Sequence, residues 1–135
     1  MKVAIVMNKE LPLGLIANAS AVLGISLGKL FPEVVGSNIA DDNGKLHLGI
    51  TTKTIPILGA TREQVKTIRD KLFDEAYSDV IVVDFSEIAQ RCLDYEDYTQ
   101  RLSNMKSSET YYMGLCLCGP IKKVNSLTGN LGLLR

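Results

Sequence analysis

KVAIVMNKELPLGLIANASAVLGISLGKL, residues 2–30, decides the fold. Val3 to Met7 is an unbroken apolar run of strand-forming residues, the pattern of a central strand covered on both faces. Asn8, Lys9 and Glu10 then make a polar turn. Pro12 stands where a first helical residue tolerates the missing N–H. From there an apolar helix is expected to about Gly28. Ala17, Ala19, Ala21, Gly24 and Gly28 make it slim enough to lie close to a sheet or to another helix. So apolar a helix is expected to be covered on most of its sides.

Working outward, Phe31-Pro32 closes the helix. Gly36 to Gly49 is rich in turn residues, with Asp42-Asn43-Gly44 as a tight turn between two short extended pieces. Thr51 to Leu58 reads as a strand that Pro56 pushes toward a sheet edge or a bulge. Thr61 and Gln64 form a capping-box start. Val65, Ile68 and Leu72 continue at helical spacing to about Glu75. Asp79 to Phe85 is a buried strand. Ser86 is a cap for a helix through Leu93, and Tyr95 to Met105 is a further helix with Tyr98 and Leu102 inward. Tyr111 to Cys118 is the last long strand, ended by Gly119-Pro120. The tail from Ile121 to Arg135 holds a turn at Thr128-Gly129-Asn130 and a final apolar segment. This alternation predicts one α/β domain over residues 1–135, three-layered, with a mixed sheet of about four strands and helices on both faces.

The composition narrows the function. Fifteen basic and fifteen acidic residues balance to zero net charge, against strong non-specific nucleic-acid binding, which needs a basic excess. The apolar segment from Leu11 to Leu30 is broken by Asn18, Ser20, Ser26 and three glycines. It is expected to be a core helix and not a membrane span. No secretory signal is visible. Three cysteines, Cys92, Cys116 and Cys118, form no disulfide framework, so a reduced cytoplasm is the expected location.

Chemistry-bearing residues are few. Asp84 closes an apolar strand beside a helix start, a common place for a general base or ligand anchor in α/β proteins; the plainer role is to cap the next helix. Asn8, Lys9, Gly14 and Asn18 gather at the end of the first strand and the start of the first helix. Backbone N–H groups and the helix dipole could hold an anion there. Arg62, Lys66 and Arg69 share a helix face and, with Lys122 and Lys123, could meet phosphates, but Glu63 and Asp70 among them favour a solvated face. One histidine, His47, and no Cys-x-x-Cys leave no metal site. Cys116 and Cys118 lie on one side of a strand and read as core. No glycine-rich nucleotide loop is present, and no cofactor is expected.

The turn and helix NKELPLGLIANASAVLG and the closing GPIKKVNSLTGNLGLLR, with Ile55 to Leu58, resemble the domain-of-unknown-function 2000 family over essentially the whole chain. More remotely, Gly14-Leu15-Ile16-Ala17, Val83-Asp84, Gly119-Pro120, Leu127-Thr128-Gly129 and Leu131-Gly132-Leu133 resemble the motifs of type 2 peptidyl-tRNA hydrolases. That second resemblance implies their fold. Of the polar residues it would carry over, Leu15 stands for the helix lysine, Ala19 for the glutamine and Val22 for the histidine. Asp84 alone is kept. A leucine cannot supply charge stabilisation, so tRNA is not an expected partner. The leading expectation is a small-ligand or anion-binding domain with its site at Asn8, Lys9, Gly14, Asn18 and Asp84. A hydrolase with Asp84 as base is the first alternative. A homodimeric interaction module, built on the slim helix at Ala21 and Gly24, is the second.

Overall fold

The computed structural model describes all residues, 1–135. Its main sheet has four strands: β1 (Lys2–Asn8), β4 (Ile57–Ala60), β5 (Ile81–Ser86) and β6 (Tyr112–Gly119). Their spatial order is β4-β1-β6-β5. β4 runs parallel to β1, whereas β6 is antiparallel to both β1 and β5. The strands β1, β4 and β5 therefore point the same way, and their carboxyl ends share one edge of the domain. The fold is α/β with a mixed four-stranded sheet.

Alternation along β1 sorts the core. Val3, Ile5 and Met7 face α1 (Leu13–Leu30), packing with Ala19, Leu23, Leu27, Cys116 and Cys118. Ala4 and Val6 face α2 (Arg62–Lys71) and α4 (Ile121–Thr128), packing with Val65, Ile68, Leu115 and Val124. Helices thus cover both faces, and β1 and β6 are buried along almost all of their length. The capping box at Thr61 and Gln64 forms as the sequence predicts.

Several expectations change. The helix α1 is not covered on most sides. It buries one stripe, Ala19, Leu23 and Leu27, and leaves Leu13 and Ile25 exposed. Ala19 is the one small residue of that stripe; Ala17, Ala21 and Gly24 face solvent instead, and a Cβ added at Gly14, Gly24 or Gly28 would meet nothing within 4 Å. The segment after Ser86 winds only into a 3-10 turn, Glu87–Arg91, although Ser86 caps it by accepting from the Ile88 N–H. The strand expected from Thr51 to Leu58 begins and ends later, at Ile57–Ala60, since pairing with β1 begins where the Pro56 carbonyl accepts from the Ile5 N–H and continues to Ala60 opposite Asn8. The tail holds a helix, α4, that the sequence reading passes over. Its end returns to β4: Gly59 N–H donates to the Gly132 carbonyl and Leu134 N–H to the Ile57 carbonyl, which closes that edge. α3 (Tyr95–Ser103) has Tyr98 and Leu102 on its inner side, as expected.

Residues 34–52 form a two-stranded ribbon outside the sheet. β2 (Ile39–Ala40) and β3 (Leu46–His47) pair near its tip. The bridge between Val35 and Thr51 keeps the same register nearer the base. The turn falls at Asp41–Gly44, with Gly44 at φ 76°, a conformation glycine adopts without strain.

Candidate functional site

A cleft opens at the edge where β1, β4 and β5 end. Its volume is about 350 Å³. Leu11 comes from the loop after β1, Arg62 from the start of α2 after β4, Glu87, Gln90 and Arg91 from the turn after β5, and Tyr111 from the approach to β6. In open α/β sheets, ligands bind at this carboxyl edge because every loop there can add a side chain to one crevice.

Arg62 is held on three sides. Its Nε donates to Glu87 Oε2 at 2.7 Å and its Nη2 to Glu87 Oε1 at 2.8 Å. Its guanidinium lies 3.6 Å from the Tyr111 ring centroid. The bidentate bond to Glu87 raises the Arg62 pKa, and the stacked fork is pre-organised as a flat wall. Two ionic side chains of the cleft remain without an ion pair, Arg91 and Glu109. The cleft thus presents a free cation and a free anion beside a rigid, neutralised pair.

Of the residues singled out from the sequence, Asp84 lies away from the other four. Asn8 is buried and spends its Oδ1 on the Glu10 N–H at 2.9 Å, a local turn bond. Lys9 is exposed, its methylenes lying over Gly59 of β4. Gly14 and Asn18 are exposed on α1. Asp84 lies within β5, not at its end, opposite Leu115, which in turn faces Val6. Its side chain is therefore on the α2 face of the sheet, away from α1. By strand spacing and rise it is roughly 12 Å from Asn8. Its Oδ2 accepts from Arg69 Nε at 2.6 Å.

The basic face of α2 is not solvated, contrary to expectation. Lys66 donates to Asp70 and to the Thr110 carbonyl, and Arg69 stacks 3.9 Å from the Phe73 ring centroid. Glu87 and Asp84, which receive Arg62 and Arg69, come from distant segments, so helical spacing alone could not show those pairs; Asp70, which receives Lys66, is four residues on in the same helix. Lys123 likewise pairs with Asp79. Cys116 and Cys118 are core; the hydrogen bond between them and burial push the Cys116 thiol up, away from nucleophilic use.

A second concavity of about 450 Å³ lies between α1 and α3, over Val83 and Phe85. Three of its polar side chains are already engaged. The Tyr98 hydroxyl accepts from the Ser86 N–H, the Cys92 thiol donates to the Ile88 carbonyl, and Asp94 caps α3. Most of the remaining lining is apolar.

Residues 1–135, the whole chain, match the family described as protein of unknown function (DUF2000). The chain belongs to the DUF2000 family. A solved structure of a protein of unknown function from Agrobacterium tumefaciens strain C58 is similar to this DUF2000 chain at a TM-score of 0.88 and 17% identity. The match covers 98% of this chain and 96% of that one. At that identity the likeness speaks for the fold alone. Among curated proteins none matches this DUF2000 protein. Arg62 was legible in the sequence as part of a basic helix face. Glu87, Gln90, Arg91 and Tyr111 carried no signal, because only the folded sheet brings their loops together.

Proposed function

We propose that this DUF2000 domain binds a small polar ligand carrying an anionic group, in the cleft at the carboxyl edge of the sheet. The observation that carries the reading is Arg91, a cation without a partner on the wall of a crevice whose other arginine is already neutralised. An incoming carboxylate or phosphate would pair with Arg91 and lie along the Arg62–Tyr111 wall. Glu109 suits a donor at the ligand's other end. This keeps the ligand-binding expectation and places the ligand beside the loop that follows Asn8 and Lys9, on residues of later loops.

The element order supports reading the scaffold as of the type 2 peptidyl-tRNA hydrolase kind. The side chains do not favour that family's reaction: Leu15 and Ala19 replace its polar helix residues, and Asp84 is engaged by Arg69 away from the cleft.

Thermal-shift and calorimetric titration with acetate, succinate, phosphate and free amino acids tests the proposal. A ligand that binds only the folded state raises the melting temperature by mass action. Wild type is expected to respond to at least one of these anions, and Arg91→Ala to lose that response with its unliganded melting temperature unchanged. No response from wild type, or an equal response from Arg91→Ala, overturns the assignment.

A further inference from the structure

Two apolar surfaces in this molecule have no partner within it. The first is the outer face of α1, where Leu13 is 81% and Ile25 is 75% exposed, with Ala17, Ala21 and Gly24 also open to solvent around them. The second is the ribbon of residues 34–52. Leu46, Leu48 and Ile50 follow one another at every second position of its returning strand, the spacing that lines one face. They are 64%, 75% and 81% exposed. A lone two-stranded ribbon is marginal in water, and this one packs none of these three side chains against its own domain.

We propose that the ribbon is a dimerisation arm, and that its apolar face lies along α1 of a second copy of this chain. The dimensions match. From its base at Val34 and Thr52 to its turn the ribbon runs about 28 Å at strand rise, and the eighteen residues of α1 span about 27 Å. The surfaces also match in shape. The bulky leucine and isoleucine side chains are on the arm, and the small Ala17, Ala21 and Gly24 are on the helix. Charge does not oppose the contact, since Lys29 is the one charged residue of α1. The arm is rooted at the carboxyl end of α1. In a two-fold pair, each arm could therefore run back along the other copy's helix, giving one self-complementary interface.

The area is sufficient. The exposed large apolar side chains of arm and helix amount to about 500 Å² on each copy. Two copies together bring about 1,000 Å² of apolar surface, which at the usual apolar share of an interface corresponds to roughly 1,700 Å² in all. Stable specific pairs bury about 1,200–2,000 Å².

Sedimentation velocity across a micromolar concentration series tests this, with Leu48→Asp on the arm and Ile25→Asp on the helix as separate variants. Both side chains are exposed, so the monomer fold should survive, which far-ultraviolet circular dichroism checks. Wild type is expected to sediment as a dimer and each variant as a folded monomer. In a Cys92→Ser background, an equimolar mixture of Leu48→Cys and Ala21→Cys chains should cross-link to each other on oxidation. A wild-type monomer overturns the proposal, as does a dimer that survives both aspartates. So does a monomer that floats with phosphatidylcholine vesicles, which would give the α1 face to a membrane.

Discussion

Asp84 in β5 accepts a 2.6 Å hydrogen bond from Arg69 Nε of α2, and the pair ties the second helix to the sheet's outer strand. Both side chains are largely withdrawn from water, and the guanidinium is stacked on Phe73. Removing one partner leaves the other without its counter-charge. Asp84→Ala is expected to cost about 2 kcal/mol of stability, read as a lower urea midpoint. Asp84→Asn should cost less, because an amide oxygen still accepts from Nε. Equal stability of wild type and Asp84→Ala would show that the pair is not structural. Ligand binding in the cleft should persist in both variants.

Tyr112 lies beside that pair and is buried. Burial first, and then the Asp84 charge, push its phenol from the usual 10 up to about 12. The unfolded chain releases this proton near pH 10 while the folded protein keeps it, so the unfolded state binds fewer protons there. The stabilisation is whole below pH 10 and is lost as pH rises from 10 toward about 12. Denaturation midpoints measured across that range should fall for wild type and fall less for Tyr112→Phe.

Gly114 on β6 has no room for a side chain. A Cβ there would stand 2.9 Å from Met7 Sδ and 3.1 Å from the Val6 carbonyl oxygen. The thioether can move, but the carbonyl belongs to the central strand. Gly114→Ala is expected to destabilise by about 1–3 kcal/mol. Thermal melts of the variant check this, and a melting temperature at or above wild type would refute it.

Arg62→Lys should weaken the cleft wall although the charge is kept. An ammonium cannot make the two parallel bonds to Glu87 or lie flat on Tyr111. A loss of about 1 kcal/mol in stability is expected, together with weaker binding of any anion that wild type takes. Calorimetry on the two proteins side by side measures both effects.

The strands were legible because burial writes itself into sequence. The Val3–Met7 and Tyr111–Cys118 runs are apolar at every step, since β1 and β6 have helices on both faces. The same rule misled at α1. Apolar composition implied cover on most sides, but composition cannot say whether cover comes from the same chain, and here it does so only along Ala19, Leu23 and Leu27. The helix α4 was hidden because its eight residues hold only a short apolar pattern between two turn signals.

The sequence by itself determined the alternation of strands and helices, the capping box at Thr61, the turn at Gly44 and the family. Each of these depends on neighbours a few positions apart, or on a pattern kept along the chain. The tertiary structure alone decided that Arg69 meets Asp84, that Arg62 meets Glu87 and that Arg91 faces a cleft. Those pairings join loops and faces far apart in sequence. Strand order and register, not local propensity, set which of these charges come within hydrogen-bond reach.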